Sequence, residues 1–278
     1  MDRLDMLLSL AIQEDIGHGD VTTNATVAPH VPGEAVVFSR EAFVLSGSGA
    51  FTRVFQLLDM MIVVERCFAD GDSIPANAVV FRVSGPLRAL LSAERTALNL
   101  LQRLSGIATL TRKMVDAMAG TSCRLLDTRK TTPLWRFLEK EAVRHGGGTN
   151  HRHGLYDGVL IKDNHVAAVG GVTEAVKRAR NAAPHTLKVE VEVDKLDQLE
   201  EALDAGADVV LLDNFSLEML REAVVRNAGR VLLEASGGVT IDTVGAIART
   251  GVDFVSCGAL THSARAIDLT MELSVRQS

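Results

Sequence analysis

Beyond Gly120 the chain settles into one repeating unit: a short, nearly continuous apolar run, an ending in polar or small residues, then a helix-length stretch. The apolar runs fall at 124–126, 158–161, 187–193, 209–212, 231–233 and 254–255. Runs without apolar–polar alternation are what strands become when helices cover both faces of a parallel sheet. With Lys130, Lys162, Glu192, Asp213, Ser236 and Cys257 as markers, the units recur every 21 to 32 residues, the length of a βα pair. Two architectures satisfy this pattern, a (β/α) barrel and a doubly wound open sheet. No G-x-G-x-x-G follows the first run, so the barrel is the expectation. In a barrel the strand C-termini converge on one mouth, where chemistry is done.

The region before Gly120 reads differently. Leu4, Leu7, Leu8, Leu10 and Ile12 recur at helical spacing, and Gly17 stops that helix. Short β-branched runs at 35–38, 62–65 and 79–83 lie among Pro-Gly, Gly-Asp and Gly-Pro turn signals, with a helix at 49–58. A long helical pattern follows over 90–118, which Gly106 is expected to break or bend. This part reads as a mixed α/β layer of its own.

Composition narrows the partners. Hydrophobic residues make up 47% of the 278 residues and aromatics 4%, so Ala, Val and Leu build the core. The net charge of −6 argues against a protein that neutralises an extended phosphate backbone, so no nucleic-acid partner is expected. Residues 124–162 nevertheless carry +4, leaving −10 for the remainder. Cys67, Cys123 and Cys257 lie far apart, without the spacing of a disulfide framework or a zinc knuckle. The N-terminus lacks the features of a signal peptide, and no apolar run approaches a membrane span. A soluble cytoplasmic protein is the expectation.

Within the basic segment, Arg136, Lys140 and Arg144 are spaced by four and read as a solvated helix face paired with Glu139 and Glu141. Arg129, Lys130 and Lys162 differ, because each directly follows an apolar strand, where a charge needs an acid or an anion to meet it. They read as a pocket for a small, multiply anionic molecule. Glu192 and Asp213 end the next two strands on the same rim. They either pair with those cations or hold a hydrated Mg2+ or a sugar hydroxyl beside the anion. Ser236-Gly237-Gly238 and Cys257-Gly258, each read as opening a helix, offer backbone N–H groups to a phosphate, although Ser236 could equally be a plain N-cap. His145, His151, His153 and His165 raise the competing reading of a zinc-dependent hydrolase, but His151 and His153 lie in a loop, where i and i+2 do not share a face. A non-catalytic anion-binding protein is the third reading.

Several blocks carry a specific resemblance. Leu126-Asp127-Thr128-Arg129-Lys130-Thr131-Thr132-Pro133, Gly146-Gly147-Gly148-Thr149-Asn150-His151-Arg152 and Leu160-Ile161-Lys162-Asp163-Asn164-His165 are similar to the signature blocks of the quinolinate phosphoribosyltransferases. Glu14 to Thr22, Ala93 to Asn99, Val191-Glu192-Val193, Leu212 to Phe215 and Ser256 to Thr261 extend the likeness over nearly the whole chain. The resemblance implies an N-terminal α/β sandwich over residues 1–106, an open seven-stranded α/β barrel over 107–264, and residues 265–278 rejoining the first domain. It implies transfer of a phosphoribosyl group from phosphoribosyl pyrophosphate to quinolinate with loss of CO2, with Mg2+ as cofactor. A homodimer or hexamer with shared sites is implied as well, Arg95 being supplied to the adjacent subunit.

The same resemblance places Arg129, His151, Arg152 and Lys162 around the two quinolinate carboxylates, with Thr128 also among the substrate-binding residues. Lys130, Glu192 and Asp213 would face phosphoribosyl pyrophosphate, the two acids holding Mg2+ directly or through water. Ser236, Gly237, Gly238 and Gly258 would lie near the 5-phosphate, and Lys130, Lys162, Glu192 and Asp213 would act in catalysis. One departure stands out: after Pro133 the family usually continues with Gly and a small residue, whereas this chain has Leu134-Trp135-Arg136-Phe137. A related branch associated with molybdate-transport operons departs in the T-R-K-T-T-P and N-H-R blocks, which are intact here.

Overall fold

The computed structural model describes residues 2–275 and divides the chain into two compact units. The first comprises residues 1–110, 144–147 and 264–278. Its elements run α1 (Arg3–Ile16), α2 (Val21–Thr26), β1 (Pro32–Ser39), β2 (Phe43–Val44), α3 (Ser48–Leu58), β3 (Val63–Arg66), β4 (Ser73–Ile74), β5 (Val79–Pro86) and the start of α4 (Leu87–Ala117). The second unit comprises 111–143 and 148–263. It carries β6 (Arg124–Leu126), α5 (Arg136–His145), β7 (Val159–Ile161), α6 (Asp163–Val169), α7 (Val172–Ala182), β8 (Val189–Val193), α8 (Leu196–Asp204), β9 (Val209–Asp213), α9 (Leu217–Asn227), β10 (Leu232–Ser236), α10 (Ile241–Ala248), β11 (Phe254–Ser256) and α11 (Ala259–His262). The chain then returns to the first unit with β12 (Leu269–Val275).

The first unit is built on an antiparallel sheet in the order β12-β1-β5-β3. β1 alternates exposed and buried residues, as a strand covered on one face should. The covering layer includes α3, whose Phe51 packs against Phe81 of β5 and Phe55 with ring centroids 4.4 and 5.1 Å away. Helix α1 runs one turn beyond Ile12, and its Asp5 takes two hydrogen bonds from Arg53 of α3. The expected break at Gly106 does not occur, for α4 is unbroken over 31 residues. Gly106 instead serves a close approach: a Cβ there would lie 2.1 Å from the carbonyl oxygen of Arg265. A glycine inside a helical pattern marks either a bend or such a contact, and the sequence does not distinguish them.

The second unit is a parallel sheet in the order β6-β11-β10-β9-β8-β7. The first two strands in sequence therefore sit at opposite edges. The six expected runs all form strands, and the seventh place is taken by one bridging residue, Thr149, paired in parallel with Leu126 beside β6. The sheet curls strongly. Glu190 of β8 and Glu234 of β10 flank β9, yet both reach the same nitrogen of His151, which follows the bridge beside β6. Val191, Val210, Leu212, Leu233 and Val255 are buried in the sheet, all but Leu233 completely. No helix among the described residues is long and apolar enough to cross a membrane.

Candidate active site

Strand register sorts the inward side chains into layers. Glu190 pairs with Leu160 and Val209, and Glu234 pairs with Leu211 and Phe254, so residues two positions further along each strand share the inward face one layer higher. That upper layer contains Lys162, Glu192, Asp213 and Ser236. Ser236 lies directly opposite Asp213, and Lys162 Nζ donates to Glu192 at 2.6 Å. Glu192 is largely buried while Lys162 is about half exposed. Cationic and anionic groups named from strand ends thus meet on one rim, and one pair already compensates internally.

Beside this rim, the loop after β6 carries Thr128, Arg129 and Lys130. The Thr128 hydroxyl accepts the Lys130 N–H at 3.0 Å, and the Thr261 hydroxyl in α11 donates to the Lys130 carbonyl at 2.7 Å. Arg129 Nε is buried with no hydrogen-bond partner. A buried guanidinium donor without an acceptor is costly, and an anion would relieve it. Arg152 is drawn down from its ordinary value by burial and by the adjacent Arg129 charge. Two neighbouring positive charges, one with an unsatisfied buried donor, are a local arrangement that an anion would relieve.

Beneath the loop, the expectation for helix α5 is corrected. Arg144 is exposed, but the stripe is not solvated throughout: Lys140 has no exposed side-chain surface and binds the equally buried Asp127. Burial lowers Lys140 from its ordinary value against the pull of Asp127. Asp127 also accepts from Asn150 Nδ2 at 2.6 Å and the His151 N–H at 2.8 Å, while Lys140 donates to the His151 carbonyl at 3.0 Å. Glu139 is buried too, accepting from the N–H and hydroxyl of Thr132. Arg136 donates to the Thr131 hydroxyl at 2.8 Å and to the His153 carbonyl at 2.8 Å. The helix therefore clamps both the T-R-K-T-T-P loop and the N-H-R segment. Leu134, at the place where glycine is usual, is exposed and held at φ +70°, in the left-handed region unfavourable to a branched side chain.

The layer below the rim was not found from the sequence. His151 Nε2 lies 3.1 Å from Glu190 and 3.6 Å from Glu234, both carboxylates being buried in the inward register. Burial and the neighbouring Glu190 charge push the Glu234 carboxyl up to about 8. A cavity of about 500 Å3 reaches this cluster from the N-terminal end of the strands, where Arg124, Val159, Val209 and Phe254 line it. The available signal was the alternation V-E-V-E-V at 189–193, which puts a second acid on the same face as Glu192.

The histidines do not form a joint metal centre. His145 falls with its partner Ser46 in the first compact unit, His165 Nδ1 accepts the Lys162 N–H, and among the described residues only His151 joins two carboxylates. The Nδ1 of His151 accepts the Arg152 N–H at 2.7 Å. Its proton must then sit on Nε2, the atom a metal would need. The ligand atoms of His151, Glu190 and Glu234 lie within 4.8 Å of one another, and the protonated Nε2 stands against a metal there. Ser236-Gly237-Gly238 does not open a helix directly either: α10 begins at Ile241 behind an N-capping Thr240. Gly237 instead turns the chain at φ +95°, where a Cβ would stand 2.2 Å from Asn214 Oδ1. Gly258 does cap a helix, the short α11. Arg95 lies in the first unit, largely exposed and 3.7 Å from Glu94.

Comparisons with known proteins place these residues in context. Residues 20–105 match the family described as Quinolinate phosphoribosyl transferase, N-terminal domain, and residues 107–272 match its C-terminal domain. The chain is 43% identical over 273 residues to a probable nicotinate-nucleotide pyrophosphorylase [carboxylating] of Bacillus subtilis, covering 98% of this chain and 94% of that one. It is 44% identical over 270 residues to the nicotinate-nucleotide pyrophosphorylase [carboxylating] of Mycobacterium leprae, covering 95% and 94%. Among solved structures, NadC from Streptococcus pyogenes superposes with a TM-score of 0.95 at 43% identity, covering 99% of this chain and 98% of that one.

Proposed function

The chain belongs to the quinolinate phosphoribosyltransferase family, and on that premise we propose which of its residues carry each part of the reaction. It is a pentosyltransferase of NAD biosynthesis that moves the phosphoribosyl group of phosphoribosyl pyrophosphate to quinolinate, releasing pyrophosphate and CO2 and forming nicotinate mononucleotide. The observation that supports the assignment of roles is the rim layer of Lys162, Glu192, Asp213 and Ser236 beside an arginine pair with a donor left unsatisfied.

Thr128, Arg129, His151, Arg152 and Lys162 bind quinolinate. A charged hydrogen bond to a carboxylate contributes roughly 1.5 to 3 kcal/mol, so several such donors fix a dianion and discriminate against a ring with one carboxylate. Lys162 exchanges Glu192 for a substrate carboxylate on binding. Lys130 faces the pyrophosphate, and Ser236, Gly237, Gly238 and Gly258 supply polar and backbone donors toward the 5-phosphate. As the anomeric carbon parts from pyrophosphate, positive charge grows on the sugar, and the carboxylates of Glu192 and Asp213 stabilise it while Lys130 stabilises the leaving group. The pyridine nitrogen attacks that carbon. The positive charge it acquires makes loss of the adjacent carboxylate as CO2 feasible, and the ring carbon left with the electron pair takes up a proton from solvent.

Glu192 and Asp213 offer a sparse oxygen set, which suits a Mg2+ ion that keeps most of its waters and shares the substrate's phosphates. They would hold it directly or through water, and its chemistry there is charge neutralisation on the pyrophosphate. The exposure of Arg95 supports its use by a neighbouring subunit, hence a homodimer or hexamer with shared sites. Three free cysteines, one of them exposed, support a reducing, cytoplasmic location.

Incubation with quinolinate, phosphoribosyl pyrophosphate and Mg2+ tests the reading. Release of CO2 and pyrophosphate with formation of nicotinate mononucleotide is expected, and a folded sample giving no product overturns it.

A further inference from the structure

Two buried carboxylates inside an apolar barrel require a reason, and the rim chemistry does not use them. Glu190 and Glu234 stand one layer beneath Glu192 and Ser236, each with one oxygen, Oε1, buried and without a hydrogen-bond partner. Their other oxygens converge on His151 Nε2. The opposite nitrogen, Nδ1, accepts the N–H of Arg152 at 2.7 Å. The Arg152 side chain then donates to the Gly158 carbonyl at 2.9 Å. The other charges around this ring are Lys140, whose Nζ holds the His151 carbonyl, Asp127, which accepts the His151 N–H, and Arg129, whose charge acts on Arg152.

These contacts determine the tautomer. A proton on Nδ1 would set two donors face to face across 2.7 Å, whereas a proton on Nε2 meets the carboxylates. Burial opposes charging the ring, but Glu190 and Glu234 outweigh it and hold the ring above its ordinary value. The amide aimed at Nδ1 keeps that nitrogen an acceptor, so the proton the acids favour sits on Nε2. The ring thus becomes a rigid link between the barrel interior and the Arg152 backbone.

We propose that Glu190 and Glu234 are positioning residues for quinolinate binding: they hold His151 as its Nε2–H tautomer, so that Nδ1 fixes the Arg152 amide and aims its guanidinium. The proposal rests on the assignment of Arg152 to quinolinate. Second-layer carboxylates orient histidines in this way at metal sites, and here the oriented object is an arginine. Glu190 carries the direct hydrogen bond, and Glu234 closes the far side of the cluster.

The experiment is nitrogen-15 NMR of histidine-labelled enzyme, with His151 signals assigned through His151→Asn, alongside steady-state kinetics. In the wild type, His151 shows a protonated Nε2 and a bare Nδ1, and equimolar Zn2+ leaves both signals in place. In Glu190→Leu the tautomer pattern becomes mixed and the KM for quinolinate rises on the order of tenfold, as for one lost charged hydrogen bond, while kcat changes far less. Glu190→Gln, which keeps an acceptor oxygen, restores most of both. A wild-type ring protonated on Nδ1, or a shift of Nε2 with Zn2+, overturns the proposal whether or not any variant folds. So does a folded Glu190→Leu enzyme with unchanged KM and tautomer. The tautomer is read without turnover, so failure of the functional assignment and failure of this proposal are separately visible.

Discussion

Lys140 and Asp127 form an ion pair with no exposed surface on either side chain, and Asn150, the His151 backbone and, through the ring, the Arg152 amide all hang from it. Removing one partner strands the other charge in the interior. Lys140→Met should cost about 3 to 5 kcal/mol in denaturant unfolding. It should also raise the KM for quinolinate more than that for phosphoribosyl pyrophosphate, and equal effects on the two would contradict the coupling to Arg152.

Leu134 holds a backbone conformation that glycine adopts freely. Left-handed geometry costs a side-chain-bearing residue roughly 1–2 kcal/mol, against about 0.5–1 kcal/mol of extra chain entropy lost by glycine. Leu134→Gly should therefore stabilise the protein by up to about 1 kcal/mol, read as a higher urea midpoint at constant slope. A lower midpoint would mean that the exposed leucine contributes packing of its own.

At Gly106 even a methyl group would collide with the Arg265 carbonyl. Gly106→Ala improves helix propensity, yet it should destabilise by about 1–3 kcal/mol because backbone must shift to admit the atom. A variant as stable as the parent would show that residues 265–266 yield easily.

Glu234 bears on stability against pH. Its folded value, about 8, lies above the ordinary carboxylate value of 4.5, so between these limits the folded state binds more protons than the unfolded state. Stability from this group is present below the lower limit and declines as pH rises through the upper one. Urea unfolding of the wild type from pH 5 to 9 should show that decline, and Glu234→Gln should flatten it. Parallel curves for the two proteins would place the buried proton elsewhere.

Sharing of sites between chains is tested by mixing. Arg95→Ala and Lys162→Ala subunits, each inactive alone, should recover part of the wild-type activity when co-assembled, since one site per mixed pair escapes both changes. Verified mixed oligomers without recovery would confine each site to one chain.

The strand series and its rim were legible in the sequence because burial on both faces leaves uninterrupted apolar runs, and because a charge directly after such a run must be met. Lys162, Glu192, Asp213 and Ser236 were found that way. Glu190 and Glu234 were not, since strand-end markers overlook inward positions one layer down. Lys140 was misread because a spacing of four describes a helix face without saying what covers it: the same stripe serves solvent or a buried aspartate. β12 left little periodic signal, and its place depends on a partner far away in sequence.

That partner is β1, whose residues 33–39 pair with 269–275. During synthesis the early strand leaves the ribosome long before its mate exists, and the whole barrel is made in the interval. One edge of β1 meanwhile presents open amide and carbonyl groups, a template for mispairing. A strand made early is thus among the last to be completed, and such long-range closure slows folding.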